Sequence, residues 1–173
     1  MSIFSEEELE KFRKDFMIDS SKDQTSKQVF VETFAKLVEN PNATTMATNL
    51  FSALDLHNKG FVSTKEIIYT LSIMSARSSE DDKLRLAYNV CDIYKNGYLV
   101  REEVRLFLSA LFKMSLDGHY EIQSTTVEKT DLLWGLMDPN NTGRANFEEF
   151  KNALMQDSYT HAKILDFFSE KNM

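Results

Sequence analysis

Residues 138 to 149 read D-P-N-N-T-G-R-A-N-F-E-E. Side-chain oxygens fall at the first, third, fifth, ninth and twelfth places, on Asp138, Asn140, Thr142, Asn146 and Glu149, and the Arg144 backbone carbonyl stands at the seventh. A hard divalent cation such as calcium takes about six to eight oxygens around one point, so the chain must wrap, turn sharply and close with a carboxylate that binds through both oxygens. Gly143 at the sixth place and Glu149 at the twelfth meet the last two demands. The spacing therefore reads as a cation cage for calcium. Magnesium is the natural competitor, because it prefers octahedral geometry and suits a loop poor in carboxylates.

The same template recurs twice upstream, which turns one match into a pattern. Asp55 to Glu66 keeps Asp at place one, Gly60 at six, Val62 at eight and Glu at twelve. Asp92 to Glu103 does the same with Gly97 and Leu99. Loop starts lie 37 and 46 residues apart, room for a helix on either side of each loop. Helix-loop-helix repeats with this spacing are EF-hands, and these three differ in ligand quality. In the loop from Asp55, His57 and Lys59 stand at places three and five, and an ammonium there repels calcium. The loop from Asp92 keeps Asn96 at five, but Tyr94 at three is too long to ligate and Val100 at nine cannot anchor a water. It is expected to be empty or very weak. Only the loop from Asp138 has an oxygen donor at every side-chain position. With just Asp138 and Glu149 charged, its affinity is expected in roughly the micromolar range or weaker.

A further, eroded hand should come first, because hands pair through a short bridge between their eighth residues and an unpaired hand leaves that edge open. Lys22 to Thr33 is the candidate, with Val29 at place eight, Lys27 where glycine belongs and Thr33 where glutamate belongs. One-residue shifts of this register fit almost as well. Apolar residues at helical spacing mark the flanking helices. They are Ala47, Leu50, Phe51 and Leu54; Leu84, Ala87, Tyr88 and Cys91; Val104, Phe107, Leu108 and Leu111; and Val127, Thr130, Trp134 and Met137. Ser5 with Glu8, Ser79 with Asp82 and Thr125 with Glu128 read as capping boxes at helix starts. A last amphipathic segment, Tyr159 to Phe168, needs a place to bury Ile164, Leu165, Phe167 and Phe168.

With these motifs in hand, the chain resembles the calcineurin-B and neuronal-calcium-sensor superfamily. The run K-L-R-L-A-Y-N-V-C-D-I-Y-K-N-G-Y-L-V-R-E-E-V, residues 83 to 104, is similar to that family's approach to its third hand. The 46-residue interval before the last loop is similar to calaxin-like ciliary members. The likeness runs from about Lys22 onward. It implies an all-α fold of four EF-hands paired into two lobes, residues 1–78 and 79–173, with short β bridges between paired loops and a C-terminal helix able to occupy a target groove. Two departures matter. Family sensors commonly fill two or three hands, whereas at most one loop here looks competent. Ser2 replaces the glycine needed for N-myristoylation, so no lipid switch carries over.

Composition narrows the function classes. In 173 residues, 42% hydrophobic with two prolines, no apolar run approaches a bilayer span, and the start M-S-I-F-S-E-E-E is acidic where a signal peptide would be basic. A cytoplasmic protein without membrane anchor is expected, cytoskeletal or ciliary in setting. The single cysteine, Cys91, excludes an internal disulfide framework, and its place on an apolar helix face reads as a buried thiol rather than a redox sensor. Net charge is −7, spread over both halves, which disfavours nucleic acid and favours a protein target presenting an amphipathic or basic helix. His57 reads as solvated, Glu6 to Glu8 as an exposed helix start, and most of the eight methionines and thirteen phenylalanines as core. No nucleophile-base pair, zinc spacing or phosphate-cradling glycine loop points to an enzyme. Two functions remain: a calcium-responsive regulator whose Glu149 swings in on metal binding and exposes a groove for a target helix, or a calcium-independent structural subunit or light chain.

Overall fold

A computed structural model describes residues 23–74, 78–116 and 118–169, together with Glu7, Lys11 and Lys14. Among the described residues the order is β1 (Thr25–Ser26), α1 (Lys27–Leu37), α2 (Thr44–Leu54), β2 (Phe61–Val62), α3 (Thr64–Ile73), α4 (Glu80–Cys91), α5 (Arg101–Ser115), α6 (His119–Met137), α7 (Phe147–Met155) and α8 (Ser158–Phe167). The fold is all-α with, among the described residues, one two-stranded antiparallel sheet, β1 against β2, and one isolated bridge, Leu99 to Ala145. Each pairing joins the loops of two hands, the role expected for residues at place eight.

The first hand sits in a different register from the one expected. Thr25, not Val29, pairs with Val62, and Val29 lies inside α1. Counting from Thr25 as place eight makes Ser26 place nine, where its hydroxyl caps α1 by accepting from the Val29 N–H at 3.3 Å, as Ser63 caps α3. Asp23 then takes place six, and its φ of +50° matches the left-handed turn that glycine supplies in the other loops. Val29 falls at place twelve, so this hand lacks the closing carboxylate. The expectation failed because the first half of the loop carries no glycine to fix the count. The corrected register aligns the core: Phe30 and Phe34, Ile67 and Leu71, Val104 and Leu108, Phe150 and Leu154 occupy equivalent places in the four hands, and all are buried.

Helix starts follow the capping rules in part. Ser79 accepts from the Asp82 N–H at 3.1 Å, and Glu80, Asp81 and Asp82 face the positive end of the α4 dipole. Thr125 and Glu128 do not start a helix; they lie within α6, which begins after Gly118 at φ +84°. The buried stripe of α6 is Thr126, Thr130, Leu133 and Met137, while Val127 is 58% exposed. The longer interval before the last loop is taken up as helix, 15 residues in α5 and 19 in α6 against 10 in α3 and 12 in α4. Ser5 and Glu8 lie outside the described residues.

The last helix is part of the core. Ile164, Phe167 and Phe168 are buried, with the Phe167 ring 6.2 Å from Phe34 of α1 and Tyr159 6.2 Å from Phe112 of α5. Lys83 in α4 donates to the Phe168 carbonyl at 3.2 Å. At the other end Asp157 precedes α8, nearly sealed from water, and accepts from Lys129 Nζ at 2.9 Å and the Thr160 hydroxyl at 2.6 Å. Burial alone would raise the Asp157 carboxyl. The bonds from Thr160 and Lys129, with the Lys129 charge, outweigh it and hold the group below its ordinary range.

Two outcomes follow for stability. Phe168→Ala removes a fully buried ring and should cost about 3–5 kcal/mol in urea unfolding. Lys129→Met strands a buried carboxylate and should cost about 3 kcal/mol at neutral pH. A lowered folded pKa gives stability that is complete above the unfolded value of about 3.9 and fades as pH falls through the folded one, so the deficit of Lys129→Met should shrink below about pH 4. A deficit constant with pH would show that Asp157 does not titrate against Lys129.

Candidate metal centre

Asp138 closes α6: its N–H donates to the Trp134 carbonyl at 2.9 Å, and its carboxylate turns into the loop. Oδ1 accepts from the Thr142 N–H at 2.7 Å and Oδ2 from the Gly143 N–H at 2.9 Å. Left-handed backbone at Asn141 (φ +54°) and Gly143 (φ +82°) makes the turn. A side chain at Gly143 would meet nothing within 4 Å, so the backbone angle rather than space selects glycine there. Burial would raise the Asp138 carboxyl, but the Gly143 and Thr142 amides and the Thr142 hydroxyl pull it below its ordinary value, so it is ionised at neutral pH.

The Thr142 hydroxyl oxygen lies 2.8 Å from Asp138 Oδ1 and 2.9 Å from the Arg144 carbonyl oxygen. A hydroxyl has one proton, so it can satisfy one of these acceptors at a time. Three oxygens thus face one another around a single proton, an arrangement that a cation among them would favour. Asn146 and Glu149 form a second group, a reciprocal capping box: the Glu149 N–H donates to Asn146 Oδ1 at 2.9 Å and the Asn146 N–H to Glu149 Oε2 at 2.8 Å. Asn140 is exposed and takes part in neither group. The six expected residues therefore divide into Asp138, Thr142 and Arg144, already convergent; Asn146 and Glu149, held to each other at the foot of α7; and Asn140. These oxygens suit a hard cation, and Asp138, Thr142, the Arg144 carbonyl and Glu149 are the groups that would hold it.

In the third loop backbone amides seat the closing glutamate. Glu103 is 1% exposed, with Oε1 accepting from the Tyr94 N–H at 3.1 Å and Oε2 from the Val100 N–H at 2.9 Å. Tyr94 has its ring in solvent, so the unsuitable side chain at place three leaves its amide to seat the glutamate. The Asn96 side-chain amide puts one terminal atom 3.2 Å from Asp92 Oδ1 and 2.8 Å from the Tyr98 carbonyl oxygen. As nitrogen that atom donates to both; as oxygen it joins them as a third acceptor aimed at one point. Burial pushes the Glu103 carboxyl up, and the facing Asp92 adds to this against the Val100 and Tyr94 amides. Sequence reasoning missed the backbone contribution, since only side chains were weighed.

In the second loop a lysine ammonium lies beside the closing glutamate. Lys59 Nζ lies 3.9 Å from Glu66 Oε1 and 5.0 Å from the Phe61 ring centroid. Lys95, from the third loop, donates to the Asp55 carbonyl at 2.7 Å and to Asn58 Oδ1 at 3.2 Å. His57 is exposed, as expected of a solvated side chain. Cys91 is buried and its thiol is pushed well above its ordinary range by burial, which removes it as a redox sensor.

No family model matches the chain. It is 29% identical to calcineurin B of Schizosaccharomyces pombe over 170 residues, 96% of this chain and 91% of that protein. To calcineurin B of Candida glabrata it is 31% identical over 155 residues, 87% of this chain and 82% of that one. A calcium and calcium/calmodulin-dependent serine/threonine-protein kinase of Lotus japonicus is 33% identical over 161 residues, which cover 92% of this chain but 30% of the kinase. The two calcineurin proteins match over most of their length and are named as subunits, and the fold carries paired EF-hand loops with converging oxygens. The chain belongs to the calcineurin B family of EF-hand calcium-binding regulatory proteins and is not itself an enzyme.

Proposed function

We propose that this chain is a calcium-responsive regulatory subunit whose working site is the loop from Asp138 to Glu149. A cation there would draw Glu149 out of its capping box, shift α7 against α6 and change the apolar surface that holds an amphipathic helix of a target protein. The observation that carries the reading is the Thr142 hydroxyl set between Asp138 and the Arg144 carbonyl, three oxygens with one proton. Two carboxylates and neutral donors make a weak site, in roughly the micromolar range or above, at which magnesium competes. The naming of the relatives as subunits supports a protein partner.

A second reading, a fixed docking subunit indifferent to calcium, draws support from Lys59 inside the second loop and from α8 built into the core. The two readings part on a titration. Trp134 is the only tryptophan and sits one turn before Asp138, so its emission should change saturably with calcium, and Glu149→Gln should abolish the change. A flat response up to millimolar calcium favours the fixed subunit. Loss of the response in Glu103→Gln but not in Glu149→Gln moves the working site to the third loop.

A further inference from the structure

One peptide unit of the last loop has the third hand at one end and the closing glutamate at the other. Its carbonyl, on Ala145, accepts from the Leu99 N–H at 2.8 Å and from the Tyr88 hydroxyl at 3.3 Å. Its N–H, on Asn146, donates to Glu149 Oε2 at 2.8 Å. Donors drawn to a carbonyl polarise the whole amide, so the N–H beyond it becomes a stronger donor, by about 10–30% for each bond in the chain. The Tyr88 hydroxyl thus acts on Glu149 through this peptide. In the third loop the counterpart carries less: Val100 donates to Glu103 at 2.9 Å, and the Leu99 carbonyl ahead of it accepts from the Ala145 N–H at 2.9 Å. Among the described residues no hydroxyl reaches that carbonyl.

Tyr88 is a fixed donor because it is 6% exposed and its ring stands edge-on to Phe147 and Phe150 of α7, at 5.7 and 5.6 Å between centres. Burial pushes the phenol up to about 12, so it keeps its proton across the neutral range. That one proton is shared with the Gly97 carbonyl of the third loop at 2.8 Å, which makes the pull on Ala145 a modest one. We infer that Tyr88 is a positioning residue for Glu149: through the Ala145–Asn146 peptide its hydroxyl holds the closing carboxylate at the foot of α7, and so raises the cation concentration at which the last loop fills. The inference rests on the calcium reading proposed above, in which the ion must draw Glu149 away from the Asn146 amide. A residue of the third hand then sets the threshold of the fourth.

The test uses the full chain and Tyr88→Phe, which deletes one oxygen and keeps the ring against Phe147 and Phe150. Followed by Trp134 emission, the calcium midpoint of the variant should fall about twofold or more, because Glu149 is released more readily. A tyrosine that merely steadied the loop would give the opposite sign, a weaker site on its removal. Tyr120→Phe, at a position 84% exposed, should leave the midpoint as it was. In nitrogen-15 spectra of the metal-free chain, Tyr88→Phe should move the Asn146 amide proton upfield, and by more than that of Val100, as its bond to Glu149 weakens. The dispersion of the same spectra checks that the variant is folded. A midpoint that stays or rises, or an Asn146 signal that does not move, overturns the inference. A flat titration of the native chain instead defeats the calcium reading, and the Asn146 signal then decides alone whether Tyr88 holds Glu149.

Discussion

Each of the three recognisable loops begins with an aspartate that ends one helix and gathers the turn after it. The N–H groups of Asp55, Asp92 and Asp138 donate to Phe51, Tyr88 and Trp134, completing α2, α4 and α6. Their carboxylates accept from the amides four and five residues on: Lys59 and Gly60, Asn96 and Gly97, Thr142 and Gly143. These charge-assisted bonds fix the loop whether or not a metal arrives. They also explain why the second loop keeps its shape after losing its ligands. Asparagine or lysine in left-handed backbone at place four, and glycine at place six, complete the turn in all three.

Pairing makes the loops depend on one another. Leu99 and Ala145 exchange two main-chain bonds, at 2.8 and 2.9 Å, and the Tyr88 phenol reaches both sides of the bridge, the Gly97 carbonyl at 2.8 Å and the Ala145 carbonyl at 3.3 Å. Burial pushes that phenol up to about 12, so it remains a donor throughout the pH range of a folded protein. A shift in the fourth loop is therefore felt by α4 through a short, stiff path. Lys95 extends the path to the second loop, since it sits between places three and five of its own loop and holds the end of α2. Buried side chains from α1 through α8 form one continuous cluster, so the four hands share a core.

Much of this was legible in the residues, because EF-hand chemistry forces particular side chains into fixed places. Gly60, Gly97 and Gly143 all take positive φ, and Val62, Leu99 and Ala145 all fall in bridges, as place six and place eight require. Every residue expected in the stripes of α4 and α5 is buried, and Leu86 and Val90 of α4 and Ala110 and Phe112 of α5 widen those stripes. Where the register of the first hand misled, the deciding contact is made by backbone. The first hand was misplaced by four residues because its pairing residue is Thr25, a polar side chain that gives no apolar signal. In the third loop the Tyr94 amide seats Glu103, a contact that the tyrosine side chain does not signal. In α6 Thr130 and Met137 are buried as expected, while Thr126 and Leu133 are buried in place of Val127 and Trp134; each threonine is satisfied by donating to the carbonyl four residues back.

Charge allocation separates the hands. Every recognisable loop carries an aspartate at place one and a glutamate at place twelve, and two carboxylates brought to one point need a cation or a proton between them. The second loop carries Lys59 at place five, with its ammonium 3.9 Å from Glu66. The third has no lysine at place five; its Glu103 is buried facing Asp92, and burial, with a smaller addition from that neighbouring charge, pushes its carboxyl up. In the fourth, Glu149 is held at the foot of α7 by the Asn146 amide, and Asp138 is ionised and tied to Thr142 and Gly143. On the proposed reading, filling this last loop would turn Glu149 toward Asp138, against a bond to the Asn146 amide that has counterparts in Glu66 with Ser63 and Glu103 with Val100. On the proposed reading, that displacement at the start of α7 is what links cation binding to a change in shape, because α7 carries Phe147 and Phe150 directly against Tyr88, at 5.7 and 5.6 Å between ring centres.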